Sequence, residues 1–201
     1  YLSWNVIGSF APHLSTELEA SQFAFYSGKM RGVEKMKTRN ERVFNMVNRS
    51  LGQPLGKLFV KEHFSEESKQ YVAEMIENLR SAYKSSIESL EWMSSETKEK
   101  AKKKLASFTY KVGYPDEWED YSDLQVEEGK SFAENMLAVA DWQIKQNLSE
   151  IGEPVDKTEW GMPPQTVNAY FNPLNNEIVF PAAILQPPFY NYRADDAVNY
   201  G

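Results

Sequence analysis

"VNAYFNPLNNEIVFPAAILQPPF", residues 167–189, is the stretch on which the fold turns. Val167, Ala169 and Phe171 alternate with Asn168 and Tyr170, a period of two that puts successive side chains on opposite faces of a strand. "NPLNN" at 172–176 supplies turn residues, because Asn tolerates left-handed backbone and Pro fixes its own φ. Ile178 and Phe180 then alternate with Glu177 and Val179, so the expected unit is a β-hairpin. The prolines of "PAAILQPPF", residues 181–189, are expected to keep that segment out of a central strand.

Asn168 is the odd member of the first strand, since Asn is depleted in strands yet here stands between β-formers. Its amide offers one acceptor and two donor hydrogens, the set needed to grip a peptide that joins a sheet edge. A plain hydrogen bond to a neighbouring loop uses the same groups, and the residue pattern leaves both readings open.

Upstream, the period changes to that of helices. After Ser65, an N-cap followed by Glu66 and Glu67, the residues Val72, Met75, Ile76, Leu79, Tyr83, Ile87 and Leu90 recur at spacings of three and four. Ser94 or Ser95 opens a second helix, in which Glu96 and Glu99 precede Lys100 and Lys103 by four, and Gly113 and Pro115 stop it. Arg39 to Leu51 and Ser131 to Leu148 carry further apolar faces, and residues 14–27 read as another helix. "PDEWEDYSDLQVEE" at 115–128 holds acidic residues and no basic one, and reads as a solvated loop.

The 201 residues carry a formal charge of −7 and no cysteine. An acidic chain lacks the cationic face that nucleic acid or an anionic membrane requires, and thiolate or disulfide chemistry is unavailable. No run of about 18 apolar residues occurs that would insert in a membrane. "YLSWNVIGSF" at the start has neither Met nor a basic leader, so the chain is expected to be an internal piece. Its compartment stays open, cytoplasm and cell surface both fitting.

"VNAYFNP", "NNEIVFPAAILQPPF" and "NYG", with "LGKLFVKEHFSEESK" and "LEWMSSETKEKAKKKL" before them, closely resemble the neprilysin and endothelin-converting-enzyme family of metallopeptidases, which includes bacterial endopeptidase O. The resemblance implies a mainly α fold, a portion of a helical lobe over residues 1–155. A small C-terminal β-hairpin segment over 156–201 would begin a thermolysin-like catalytic lobe. It implies an oligopeptide substrate, zinc in the parent enzyme, and the remainder of the catalytic lobe as partner. In the family, the residues matching Asn168 and Ala169 hold the substrate backbone. Those matching Ile184 and Phe189 help line the pocket for the side chain after the scissile bond, and Tyr170 is expected to flank the cleft.

The same family cleaves peptides with His-Glu-x-x-His on a helix, and this sequence has none. His13 and His63 lie on separate segments without a second His four residues away. The chain is therefore expected to supply substrate contacts, to bind no zinc of its own, and to be inactive alone. A non-catalytic peptide-binding module using the same edge strand is the alternative. Because a lone hairpin is marginal in water, residues from about 160 onward are expected to be mobile, to pack back on the helices, or to self-associate through the β segment.

Overall fold

The computed structural model describes residues 1–201. Along the chain come α1 (Leu2–Phe10), a 3-10 turn (Ala11–His13), α2 (Thr16–Gln22) running into a π-helical stretch (Phe23–Lys29), and α3 (Arg39–Ser50). There follow α4 (Gly52–His63), α5 (Glu66–Ser89), α6 (Ser95–Ala106), β1 (Thr109–Gly113) and α7 (Phe132–Ser149). The chain closes with β2 (Tyr170–Asn172), β3 (Glu177–Pro181) and α8 (Asp196–Asn199). The fold is mainly α with one small sheet.

Packing divides the chain into two units that interleave in sequence: residues 1–50 with 120–155, and residues 51–119 with 156–201. This is a division by packing, and it does not follow the expected boundary at 155/156.

The first unit is entirely helical. Ser131 opens α7 with a capping box, its hydroxyl accepting from the Glu134 amide while the Glu134 carboxylate accepts from the Ser131 amide. The Tyr121 ring stacks on buried Trp142 at 4.5 Å. His13 stands edge-on to Phe10 at 5.9 Å and to Phe132 at 5.3 Å, which ties the 3-10 turn to the start of α7.

The second unit holds the sheet. Ser65 caps α5 through the Ser68 amide, as its position in sequence requires. Val72 and Ile76 are buried on that helix, Ile87 and Leu90 at its end are half-buried, and Leu79 and Tyr83 between them are exposed, so the apolar stripe is left open in its middle. Val72, Ile76, Phe64, Val112, Ala182, Leu185 and Tyr190 form one core. The apolar tail after β3 thus packs back on α4 and α5, and each fully buried side chain of this kind contributes about 1.5–3 kcal/mol.

The sheet has the order β1-β3-β2, with β1 parallel and β2 antiparallel to β3. A hairpin forms as expected, turning through Asn176 at φ 49°, but its first strand is Tyr170–Asn172, which corrects the expectation that Val167, Asn168 and Ala169 belong to it: the Asn168 side chain accepts from the next amide instead of leaving the backbone to pair. β1 lies where the sequence suggested only the end of a helix; its partner β3 is far along the chain, and local pattern carries no trace of such pairing. Pro181 corrects the expectation that its segment avoids a central strand, because it is the last residue of β3, opposite Gly113. Its missing N–H costs little there, since the next amide, of Ala182, donates to the Gly113 carbonyl at 2.8 Å. Gly113 itself has φ +78°, and a Cβ on it would meet Phe64 Cε1 at 2.4 Å, so no larger residue fits.

Candidate peptide-binding edge

On β3, Glu177, Val179 and Pro181 are the buried residues while Ile178 and Phe180 are half-buried, so both faces are covered. The register sets Tyr110, Val112, Ile178, Phe180 and Phe171 on one face. There Val112 joins the core, with Tyr110 and Phe180 packed against it. Phe171, at the outer strand, is left 48% exposed.

The opposite face carries Lys111, Glu177, Val179, Tyr170 and Asn172. A Glu inside an apolar strand demands a partner, and Lys111 Nζ lies 3.0 Å from Glu177 Oε1 with the two side chains only 14% and 6% exposed. Lys111 also donates to the Glu159 carbonyl at 2.8 Å. The Gly161 amide donates to the Tyr170 hydroxyl at 2.7 Å. The segment 156–165 therefore lies over this face and is tied to both outer strands. Burial, above all, raises the Tyr170 hydroxyl above its ordinary value, the Gly161 bond working the other way.

β2 has a strand neighbour on one side only. At its head, the Asn168 amide donates to the Thr166 carbonyl at 3.0 Å and the Ala169 amide to Asn168 Oδ1 at 2.8 Å. Asn168 is exposed and Ala169 half-buried. The Asn168 acceptor is thus engaged by its own chain, the plain reading left open by the sequence, while the residue stays at the surface. Ile184 is half-buried against the core and Phe189 is 64% exposed, just after the Gln186 turn. Asn168, Ala169 and Tyr170 come together at the sheet edge, whereas Ile184 and Phe189 follow the central strand.

Beside the ion pair lies a cavity of about 510 Å³, with Tyr110, Tyr114, Trp160, Lys111 and Glu177 in its wall. None of the five expected contact residues lines it. No group of three or more His, Cys, Asp or Glu side chains is placed to hold a metal ion. Lys111, Glu177 and Gly161 escaped sequence reasoning; a Lys set between the β-formers Tyr110 and Val112, and a Glu opening the apolar run Ile178–Phe180, were the available signal.

The chain is mainly helical and carries a three-stranded sheet in which β1 and β2 are the two edge strands. Comparison makes this specific: the sequence profiles of "Peptidase family M13" match residues 1–115, by an N-terminal profile, and residues 168–201. The chain belongs to that family. It is 36% identical to an endothelin-converting enzyme homolog of Locusta migratoria, over the whole of this chain and 28% of that protein. It is 34% identical to a neutral endopeptidase of Lactobacillus helveticus, over 97% of this chain and 30% of that protein. Its fold superposes on the Mycobacterium tuberculosis zinc metalloprotease Zmp1 in the open state with a TM-score of 0.89 at 42% identity, over 98% of this chain and 30% of that one. The chain thus spans under a third of the length of these relatives.

Proposed function

We propose that the parent of this chain is a zinc-dependent endopeptidase acting on oligopeptides, and that an extended substrate adds to the open side of β2. In this reading Asn168 and Ala169 hold the substrate backbone and Tyr170 flanks the cleft. Ile184 and Phe189 help form the pocket for the side chain after the scissile bond. Residues 1–155 belong to a helical lobe and 156–201 open the catalytic lobe, whose remainder supplies the metal ligands. When bound, the zinc would polarise the scissile carbonyl and activate water.

The observation that carries the reading is the position of β2 at the end of the sheet with Asn168 exposed at its head. An open strand edge offers main-chain donors and acceptors to an extended peptide, and side chains on the flank select among peptides. The Tyr170–Gly161 and Lys111–Glu177 contacts support it by holding that edge rigid. No helix of the chain is long and apolar enough to cross a membrane.

The test is Asn168→Ala in the full-length parent. Loss of one or two substrate hydrogen bonds is expected to lower kcat/KM roughly tenfold with zinc content unchanged. An unaltered rate on extended peptides would overturn the edge-strand reading. The 201-residue chain with added zinc is expected to leave a quenched peptide substrate intact, and chelator-sensitive cleavage would show a metal site within it.

A further inference from the structure

The segment after Phe189 is a self-tied loop laid against α5. The Asn191 amide donates to Asn199 Oδ1 at 3.1 Å and the Asn199 side-chain amide returns to the Asn191 carbonyl at 3.0 Å, which closes residues 191–199 on themselves. Asp195 caps α8 through the Ala197 amide at 2.9 Å. The loop meets α5 where Asn78 Nδ2 donates to the Tyr200 hydroxyl at 3.0 Å and where the Tyr71 and Tyr192 rings face each other, 6.5 Å apart and 33° from parallel.

Between loop and helix is a cavity of about 90 Å³ whose wall contains Tyr71, Tyr190, Tyr192 and Tyr200 with the carboxylates of Glu74 and Asp196. No basic side chain lines it; the rest of the wall is Met75, Asn78 and Asn199. Four phenol rings, whose faces carry negative quadrupole potential, contribute to the wall, and two carboxylates add formal negative charge. The volume equals that of about three waters, room for an ammonium head with a few carbons.

We propose that this tyrosine-lined cavity is a binding site for an organic cation, an alkylammonium group of the kind carried by a lysine side chain or by a free quaternary amine. An anion is disfavoured by every charged group in the wall, and a neutral ligand gains no Coulomb attraction from the carboxylates. Tyr192 already engages a cation of the chain, the Arg193 guanidinium lying 5.2 Å from its ring centroid with Nε donating to the Tyr192 hydroxyl at 2.9 Å, while Arg193 itself belongs to the wall of a neighbouring cavity. The Tyr190 hydroxyl is held above its ordinary value by burial first and by the Asp196 charge next. The site is separate from the β2 edge and stands whether or not that edge binds peptide.

The experiment is a titration of the 201-residue chain with tetramethylammonium, followed by amide chemical shifts at constant ionic strength, with sodium and the neutral isostere tert-butanol in parallel. Saturable shifts are expected at Tyr71, Asn78, Tyr192, Asn199 and Tyr200 with tetramethylammonium alone. Glu74→Gln with Asp196→Asn, both exposed positions, should weaken binding about fivefold, and Tyr71→Leu, which keeps bulk but loses the ring face, should weaken it about threefold. Equal shifts with tert-butanol or sodium, or affinity unchanged in the carboxamide pair, would overturn the proposal. A second pair of probes, Nα-acetyl-lysine methylamide and choline, separates the sources: tighter binding of the first assigns a peptide side chain, tighter binding of the second a free quaternary amine, and binding of neither overturns the site.

Discussion

The helical unit and the sheet unit are built on different principles. In the sheet unit, apolar residues from α5, β1 and the tail after β3 meet in one buried cluster, and a charged pair is sealed above the sheet. In the helical unit Ala11, Val139 and Trp142 are the buried hydrophobic residues, and ring contacts and helix caps fix the geometry. The difference teaches that precision in this chain is concentrated around β3, where the open strand is held, and that the two units should fail for different reasons.

Removing one charge from the sealed pair should have the largest effect. Lys111→Met leaves the Glu177 carboxylate buried without a counter-charge and is expected to cost about 3–5 kcal/mol in chemical denaturation. The double variant Lys111→Met with Glu177→Leu should recover most of that loss, and failure to recover would mean the pair is not what strains the single variant. Gly113→Ala comes next, at roughly 3 kcal/mol, because the new Cβ collides with Phe64 at a positive φ. In both cases hydrogen exchange should rise in β1 and β3 first, and an equal early rise around Trp142 would erase the distinction between the units.

The pH dependence should split them as well. Burial lowers His13 below the ordinary value of 6.5, so the unfolded chain takes up a proton that the folded one refuses. The helical unit is therefore expected to lose stability as pH falls below 6.5, until the folded group titrates too, and His13→Gln should flatten that slope. Tyr114 of the sheet unit is pushed up to about 12 from 10.0, by burial first and by its hydrogen bond to Glu66 next. Its contribution is complete below pH 10 and is lost as pH rises through about 12, which exchange rates of β1 amides would report. The smallest effect is expected from Tyr170→Phe, about 1 kcal/mol for the bond to the Gly161 amide, with faster exchange confined to residues near 161 and 170.

Local chemistry made much of the fold legible. The caps at Ser65 and Ser94 and the hairpin turn are decided within a few residues, and all three stand where the sequence put them. α4 was hidden because "GQP" at 52–54 reads as a stop although it begins the next helix. β1 and the ion pair were hidden for a different reason, since Lys111 and Glu177 acquire meaning only when distant strands pair. Of the candidate site, Asn168 stood out by being wrong for a strand, but the roles of Gly161 and Glu159 depend on a loop crossing the sheet, which has no periodic signature.

The parallel pairing of β1 with β3 has a consequence for biosynthesis. Everything from residue 114 to 176, α7 of the other unit included, leaves the ribosome before β1 can find its neighbour. Closing so long an excursion is slow in entropy terms, so nascent helices are expected to wait, half assembled, for the arrival of Glu177–Pro181.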